Sequence, residues 1–203
     1  MKTGVLGGSF NPPHNGHLAM ARAACEERGL DRVWLLVAAR PPHKSSGQLG
    51  ELEHRLEMAK LAAASLPFLE VNDLETRLPG ISYTYRTFEV LAEDYPQDEL
   101  FFIIGADTVP ELATWKNPNL ILEIADPVVI PRTGFCPEDA EKLGPALSAK
   151  NIQKLKKNWL AVEPVDVSST MIREKLEKGE NIDGLVAGPV AEYIHRHGLY
   201  RRA

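Results

Sequence analysis

Cysteine is scarce: Cys25 and Cys136 are the only two in 203 residues. No disulfide framework is possible with that count and spacing, and a reducing compartment is expected. Long apolar runs are also missing. None reaches the roughly 20 residues that a membrane-crossing helix needs, and the first apolar stretch stops at Gly7 and meets Pro12-Pro13. Neither a membrane span nor a secretory leader is therefore expected, and the predicted location is the cytoplasm. Positive charge is not in excess either, since 23 Lys and Arg face 28 Asp and Glu for a net charge of −5. That balance argues against general nucleic-acid binding, which relies on a basic surface. An anionic small molecule would have to be attracted by a few local cations and helix N-termini, because the overall field opposes it.

The residues present are 44% hydrophobic and 25% charged, the composition of a globular protein with a substantial core. Apolar strand-like runs at 3–6, 33–38, 68–72, 100–105, 128–130 and 159–162 alternate with helix-like stretches at 17–28, 51–66, 83–94, 119–125, 137–157, 169–178 and 189–197. This order predicts an α/β fold of Rossmann-like type, a doubly wound parallel sheet with helices on both faces, with residues 1–203 forming a single domain. Such sheets bind ligands beyond the carboxyl ends of their strands, where the strand order reverses. The chemically informative residues follow strands in just this way.

The first of them is the loop Gly7-Gly8-Ser9-Phe10-Asn11-Pro12-Pro13-His14-Asn15-Gly16-His17. Its glycines let backbone N–H groups approach an anion, and Asn11-Pro12-Pro13 enforces a non-helical turn before a helix begins. His14 and His17 are three apart, so on a first helical turn they share a face and both can donate to phosphate oxygens. A strand-to-helix connection alone would leave two histidines at a helix mouth unexplained. A zinc site would need further ligands, and Cys25, His43 and Cys136 lie at no recognised metal spacing. No metal site is predicted. No Lys-Ser or Lys-Thr follows the glycines of this loop, so it is not a Walker loop, and it lacks the G-x-G-x-x-G dinucleotide pattern.

A second segment, Ser168-Ser169-Thr170-Met171-Ile172-Arg173, also opens a helix. An N-cap is the simplest reading of its hydroxyls, but no Glu or Gln stands three residues on to complete a capping box. Arg173 in the first turn opposes the helix dipole, at a cost of roughly 0.3–1 kcal/mol unless an anion intervenes. Lys150, Lys154, Lys156 and Lys157 read as a solvated helix face.

The first loop resembles the H-x-G-H signature of the nucleotidyltransferase superfamily, and Ser168–Arg173 resembles the S-S-T-x-I-R element that accompanies it in adenylyltransferases. Gly105-Ala106-Asp107 is similar to the family's G-x-D element, and Pro41-Pro42-His43-Lys44 looks like its lysine loop. Together with Ser82-Tyr83-Thr84 and Trp115, the chain resembles the bacterial nicotinate mononucleotide adenylyltransferases from its first strand to Leu199-Tyr200. The resemblance implies AMP transfer from ATP, with Mg²⁺, to nicotinate mononucleotide. It assigns His14, His17, Lys44 and Arg173 to catalysis and Gly7, Gly8, Ser9, Phe10, Gly105, Asp107, Ser168, Ser169 and Thr170 to ATP. Tyr83, Thr84, Trp115 and Arg132 fall to the acceptor, with Trp115 stacking on the nicotinate ring. Asn11 stands where many relatives carry Asp. Nicotinamide mononucleotide or phosphopantetheine as acceptor, or a sensor that binds without turnover, are the rival readings. A homo-oligomer is compatible with the sequence.

Overall fold

The strand runs come together around the first of them. In the computed structural model, which describes residues 1–42, 49–164 and 166–201, β1 (Lys2–Gly8) pairs in parallel with β2 (Arg32–Val37) on one side and β4 (Glu99–Gly105) on the other. β3 (Leu69–Asn72) adds outside β2 and β5 (Asp126–Ile130) outside β4, so the five-stranded parallel sheet has the order β3-β2-β1-β4-β5. The order reverses at β1, and the carboxyl ends of β1 and β4 therefore open onto one crevice.

Strand side chains alternate between two apolar clusters, as the period of two requires. Val5, Trp34, Leu36, Phe102, Ile104 and Val129 enter one, beneath α4 (Thr84–Asp94), α5 (Pro118–Ile124) and α6 (Ala149–Lys157). Leu6, Leu35, Val37, Phe101, Ile103 and Val128 enter the other, beneath α1 (Asn15–Arg28) and α2 (Leu52–Ala63). β4 is buried at every position after Glu99, as a central strand covered on both faces should be. A third cluster joins α2 to α7 (Ser169–Glu177) and α8 (Gly188–His197) through Met58, Ile172, Val190 and Ile194. It attaches the late helices to the first half of the chain. Among the described residues no helix is long and apolar enough to cross a membrane.

The expected doubly wound sheet is present, with three departures. The run at 159–162 does not extend the sheet as a strand. Trp159 makes an isolated bridge to Val129, with the Leu160 N–H donated to the Val129 carbonyl at 2.9 Å. Glu163-Pro164 follows at once and leaves little length to pair. A one-turn helix, α3 (Leu74–Arg77), occupies a segment between the 68–72 strand and the 83–94 helix to which the sequence assigned no element. The stretch 137–157 is a 3₁₀ turn over Pro137–Leu143 and then α6, divided at Gly144-Pro145 as expected. The lysine cluster is also less solvated than its charge suggests. Lys154 pairs with Asp126 at 2.7 Å and donates to the Leu122 and Ala125 carbonyls at the end of α5, and Lys156 pairs with Glu141.

Candidate functional site

At the reversal point lies a cavity of about 890 Å³, lined by residues from every loop that the sequence singled out and the structure describes. Gly7, Gly8 and Ser9 leave β1 at its floor, and His14 and His17 stand at the start of α1. The Asn11–Pro12 peptide between them is cis. His14 is the N-cap of α1 and is 4% exposed. Its backbone N–H is donated to Nδ1 of His17 at 3.2 Å, which leaves the His17 ring proton on Nε2. The two rings stack with centroids 3.7 Å apart, and Phe10 meets His17 edge-on from below at 4.9 Å.

Burial, with a smaller contribution from the Arg132 charge, pulls the His14 pKa down to about 4. This imidazole is thus neutral at physiological pH, and its Nδ1 is buried without a hydrogen-bond partner. Gly16 is needed beside it, since a Cβ there would lie 2.9 Å from His14 Nδ1 and 3.3 Å from the Val167 carbonyl. The absence of a side chain at Gly16 is what lets the α7 segment approach.

The two signature segments do meet. Arg173 on α7 donates from Nη1 to the Asn11 carbonyl at 2.8 Å and from Nη2 to Thr170 Oγ1 at 3.1 Å. Ser169 Oγ donates to the Pro12 carbonyl at 2.9 Å. The N-cap, the simplest reading of these hydroxyls, is real as well, because Ser168 Oγ accepts from the Met171 N–H at 3.1 Å. Its hydroxyl already has a structural task, although Ser168, Ser169 and Thr170 all line the cavity.

From β4 and β5 come Gly105, Asp107 and Arg132. The Arg132 guanidinium lies 3.6 Å from the Asp107 carboxylate, with its Nη2 3.5 Å from Met20 Sδ. A Cβ on Gly105 would overlap Asp107 Oδ1, so glycine is what allows the acid to fold back over the strand end. Tyr83, Thr84 and Trp115 line the same cavity. Thr84 is the first residue of α4, and its helix presents unpaired N–H groups there. Lys116 places its ammonium 4.8 Å from the Tyr83 ring centroid.

Two assigned residues do not line the cavity. Phe10 is 1% exposed, takes φ 44° and packs into the core under the loop. Arg173 is turned onto the Asn11 carbonyl. Lys44 lies outside the described residues, and so does its neighbour His43.

Sequence reading missed Arg55, Glu75 and Tyr200. Arg55 is 2% exposed beneath the first loop. Glu75 is 6% exposed and lines the cavity, with Oε1 accepting from Thr87 Oγ1 at 2.8 Å and Oε2 buried without a partner. Tyr200 donates its hydroxyl to Asn11 Oδ1 at 2.8 Å, which also accepts from the Gly50 N–H at 3.0 Å. Burial raises the Tyr200 pKa and keeps that hydroxyl protonated. A charged residue on an otherwise apolar helix face was the available signal for Arg55. Tyr200 was only the last residue of the family resemblance, with no role attached to it.

A parallel sheet whose switch point gathers two histidines, an arginine-bearing helix start and glycine-rich strand ends defines a nucleotide-handling protein of the cytidylyltransferase-like class. The family model of that description matches residues 5–175. The chain is 38% identical over 199 residues to the nicotinate-nucleotide adenylyltransferase of Bacillus subtilis, covering 98% of each. It is 42% identical over 201 residues to a protein of Thermus thermophilus named as a probable nicotinate-nucleotide adenylyltransferase, covering 99% of this chain and 100% of that one. Its fold matches the Plasmodium falciparum nicotinic acid mononucleotide adenylyltransferase solved with NaAD at a TM-score of 0.77 and 20% identity, covering 98% of both chains. The chain belongs to the cytidylyltransferase-like family, among its nicotinate-nucleotide adenylyltransferases.

Proposed function

We propose that this protein transfers AMP from ATP to nicotinate mononucleotide, releasing pyrophosphate and forming nicotinate adenine dinucleotide for NAD biosynthesis. The observation that carries the reading is that Gly7–His17 and Ser168–Arg173 meet through hydrogen bonds at a cavity that Tyr83, Thr84 and Trp115 also line.

The attacking group is the phosphate of the acceptor. A phosphate monoester has its second pKa near about 6, so at neutral pH it is already ionised and needs no general base. The bond that forms is from an acceptor phosphate oxygen to the α-phosphorus of ATP, and the bond that breaks is the α–β bridge, whose electron pair leaves with pyrophosphate. Catalysis is positioning and charge stabilisation, without a covalent intermediate. His17 donates from Nε2 to the phosphates. His14 supplies an uncharged imidazole that donates to the same phosphates. Backbone amides of Gly7, Gly8, Ser9 and Phe10, with Ser168, Ser169 and Thr170, cradle the triphosphate. Phe10 acts through its backbone, since its ring is in the core. Arg173 and Lys44 neutralise the departing charge. Gly105 and Asp107 receive the adenosine part, and Arg132 between Asp107 and His14 holds a phosphate of the mononucleotide.

Among the described residues no group of three or more His, Cys, Asp or Glu side chains forms a cation cage, and the cavity's donors suit phosphate oxygens. Mg²⁺ arrives with ATP as part of the substrate and neutralises phosphate charge. Trp115 offers its ring to nicotinate, while the first N–H groups of α4 and Thr84 take its carboxylate, which favours the acid over the amide. The whole of residues 1–203 acts as one domain in the cytoplasm, without nucleic acid, as a monomer or a homo-oligomer.

Assay of ATP with nicotinate mononucleotide, nicotinamide mononucleotide and phosphopantetheine side by side tests this. Pyrophosphate release fastest with the first supports it. Preference for another acceptor, or release without any, overturns it.

A further inference from the structure

Arg55 is a buried cation with no ion pair among the described residues. Its guanidinium instead donates to four backbone carbonyls. Nε reaches Gly50 at 3.0 Å, Nη1 reaches Ser9 at 2.9 Å and Ala38 at 2.7 Å, and Nη2 reaches Ala39 at 3.4 Å. These carbonyls belong to three separate segments: the loop after β1, the loop after β2 and the turn into α2. Removing a guanidinium from water is costly, and an apolar side chain of similar size would fill the space more cheaply. What only the planar fork provides is simultaneous, directional grip on several acceptors.

The grip continues outward. Gly50, held through its carbonyl, donates its N–H to Asn11 Oδ1, and the Asn11 carbonyl is the acceptor for Arg173. The Ala38 N–H is donated to the Gly8 carbonyl at 2.8 Å, which ties the β2 loop to the same glycine pair. Arg55 touches neither the cavity nor, on the reading above, any substrate, yet two of the residues whose carbonyls it holds, Ser9 and Ala38, line that cavity.

We infer that Arg55 is a positioning residue for adenylyl transfer: from beneath the first loop it fixes the Ser9, Ala38 and Gly50 carbonyls, and through them the placement of the His14–His17 turn and the Arg173 anchor. The inference rests on the adenylyltransferase reading. Misplacing a catalytic turn by about 1 Å costs on the order of 100-fold in rate, so the effect falls on kcat and on ATP more than on the acceptor.

The test compares wild type, Arg55→Lys and Arg55→Met as full chains, each assayed well below its own unfolding midpoint. Steady-state kinetics on both substrates is combined with calorimetric binding of a non-hydrolysable ATP analogue. Arg55→Met is expected to lose about 100-fold in kcat while its KM for nicotinate mononucleotide stays within about threefold. Arg55→Lys keeps the charge but loses the fork, and is expected to recover to about tenfold below wild type. A role confined to stability would lower the midpoint and leave kcat of the folded enzyme within about threefold of wild type; that result overturns the inference. Should Arg55→Met fail to fold, the lysine variant decides by the same criterion. If wild type forms no dinucleotide, the functional reading fails separately. The calorimetric comparison then decides, with equal analogue affinity in wild type and variant, or no binding by wild type, overturning the inference.

Discussion

His14 gives its backbone N–H to Nδ1 of His17 at 3.2 Å while the two rings stack at 3.7 Å. One imidazole is thereby aligned by the backbone of the other, and the pair is ordered before any ligand arrives. Because His17 Nδ1 is the acceptor, its ring proton is on Nε2, and the residue lines the cavity. His17→Ala removes that donor from a partly exposed first turn, so kcat is expected to fall by about 100- to 1,000-fold. The circular dichroism spectrum should be unchanged. A near-normal rate would remove His17 from the phosphate site.

The depressed pKa of His14 makes stability depend on pH. The folded chain keeps this ring neutral down to about pH 4, whereas an unfolded histidine takes its proton near 6.5. Between those values the unfolded state binds more protons, so stability declines as pH drops from 6.5 toward 4, by roughly 3 kcal/mol from this group. Urea unfolding of wild type and His14→Gln at pH 7 and pH 4.5 measures the difference. Wild type should lose more stability than the variant on acidification.

Trp115 lines the cavity and packs on Phe102 with ring centroids 6.0 Å apart. Truncation to Ala removes the flat face offered to the pyridine ring while leaving the phosphate end intact. KM for nicotinate mononucleotide is expected to rise about tenfold, and KM for ATP to stay within about twofold, in initial-rate measurements on each substrate. Equal changes in both would place Trp115 in the core rather than in the acceptor subsite.

Asn11 is used here as an acceptor. Its Oδ1 takes hydrogen bonds from Gly50 and Tyr200 in a position 1% exposed. A carboxylate can accept the same two bonds, with the Arg173 guanidinium nearby on the Asn11 carbonyl. Asn11→Asp should therefore stay within about 1 kcal/mol of wild type, whereas Asn11→Leu strands both donors and should lose about 2 kcal/mol or more. Thermal unfolding of the two variants distinguishes them.

These placements show which parts of the molecule were readable in one dimension. Strand and helix alternation, with the Gly7–His17 loop and Gly105–Asp107 each just after a strand, was enough to locate the site, because parallel sheets put ligands at strand ends. Convergence of Gly7–His17 with Ser168–Arg173 followed from the motifs, but the contacts that produce it did not. Arg173 reaches the Asn11 carbonyl, a backbone atom that every residue type possesses. The same holds for Arg55, whose partners are four carbonyls and no side chain. Ring burial is equally invisible in a motif, so Phe10 read as part of a nucleotide loop proves to be its underside. The lost sixth strand is a matter of length: the Asn158 carbonyl and the Leu160 N–H bond to Val129, and Pro164 arrives too soon for a ladder to continue.

β1 occupies the middle of the sheet, with its neighbours contributed from residues 32–37 and 99–105. During synthesis the glycine loop thus emerges long before the strand that completes its second flank, and longer still before Arg173 and Tyr200. A growing chain can dock β2 and β3 early, yet for most of its elongation it carries only one of the two segments that meet at the cavity. Nucleotide is then a late arrival in folding, able to stabilise the finished protein by mass action but unavailable as a template for its assembly.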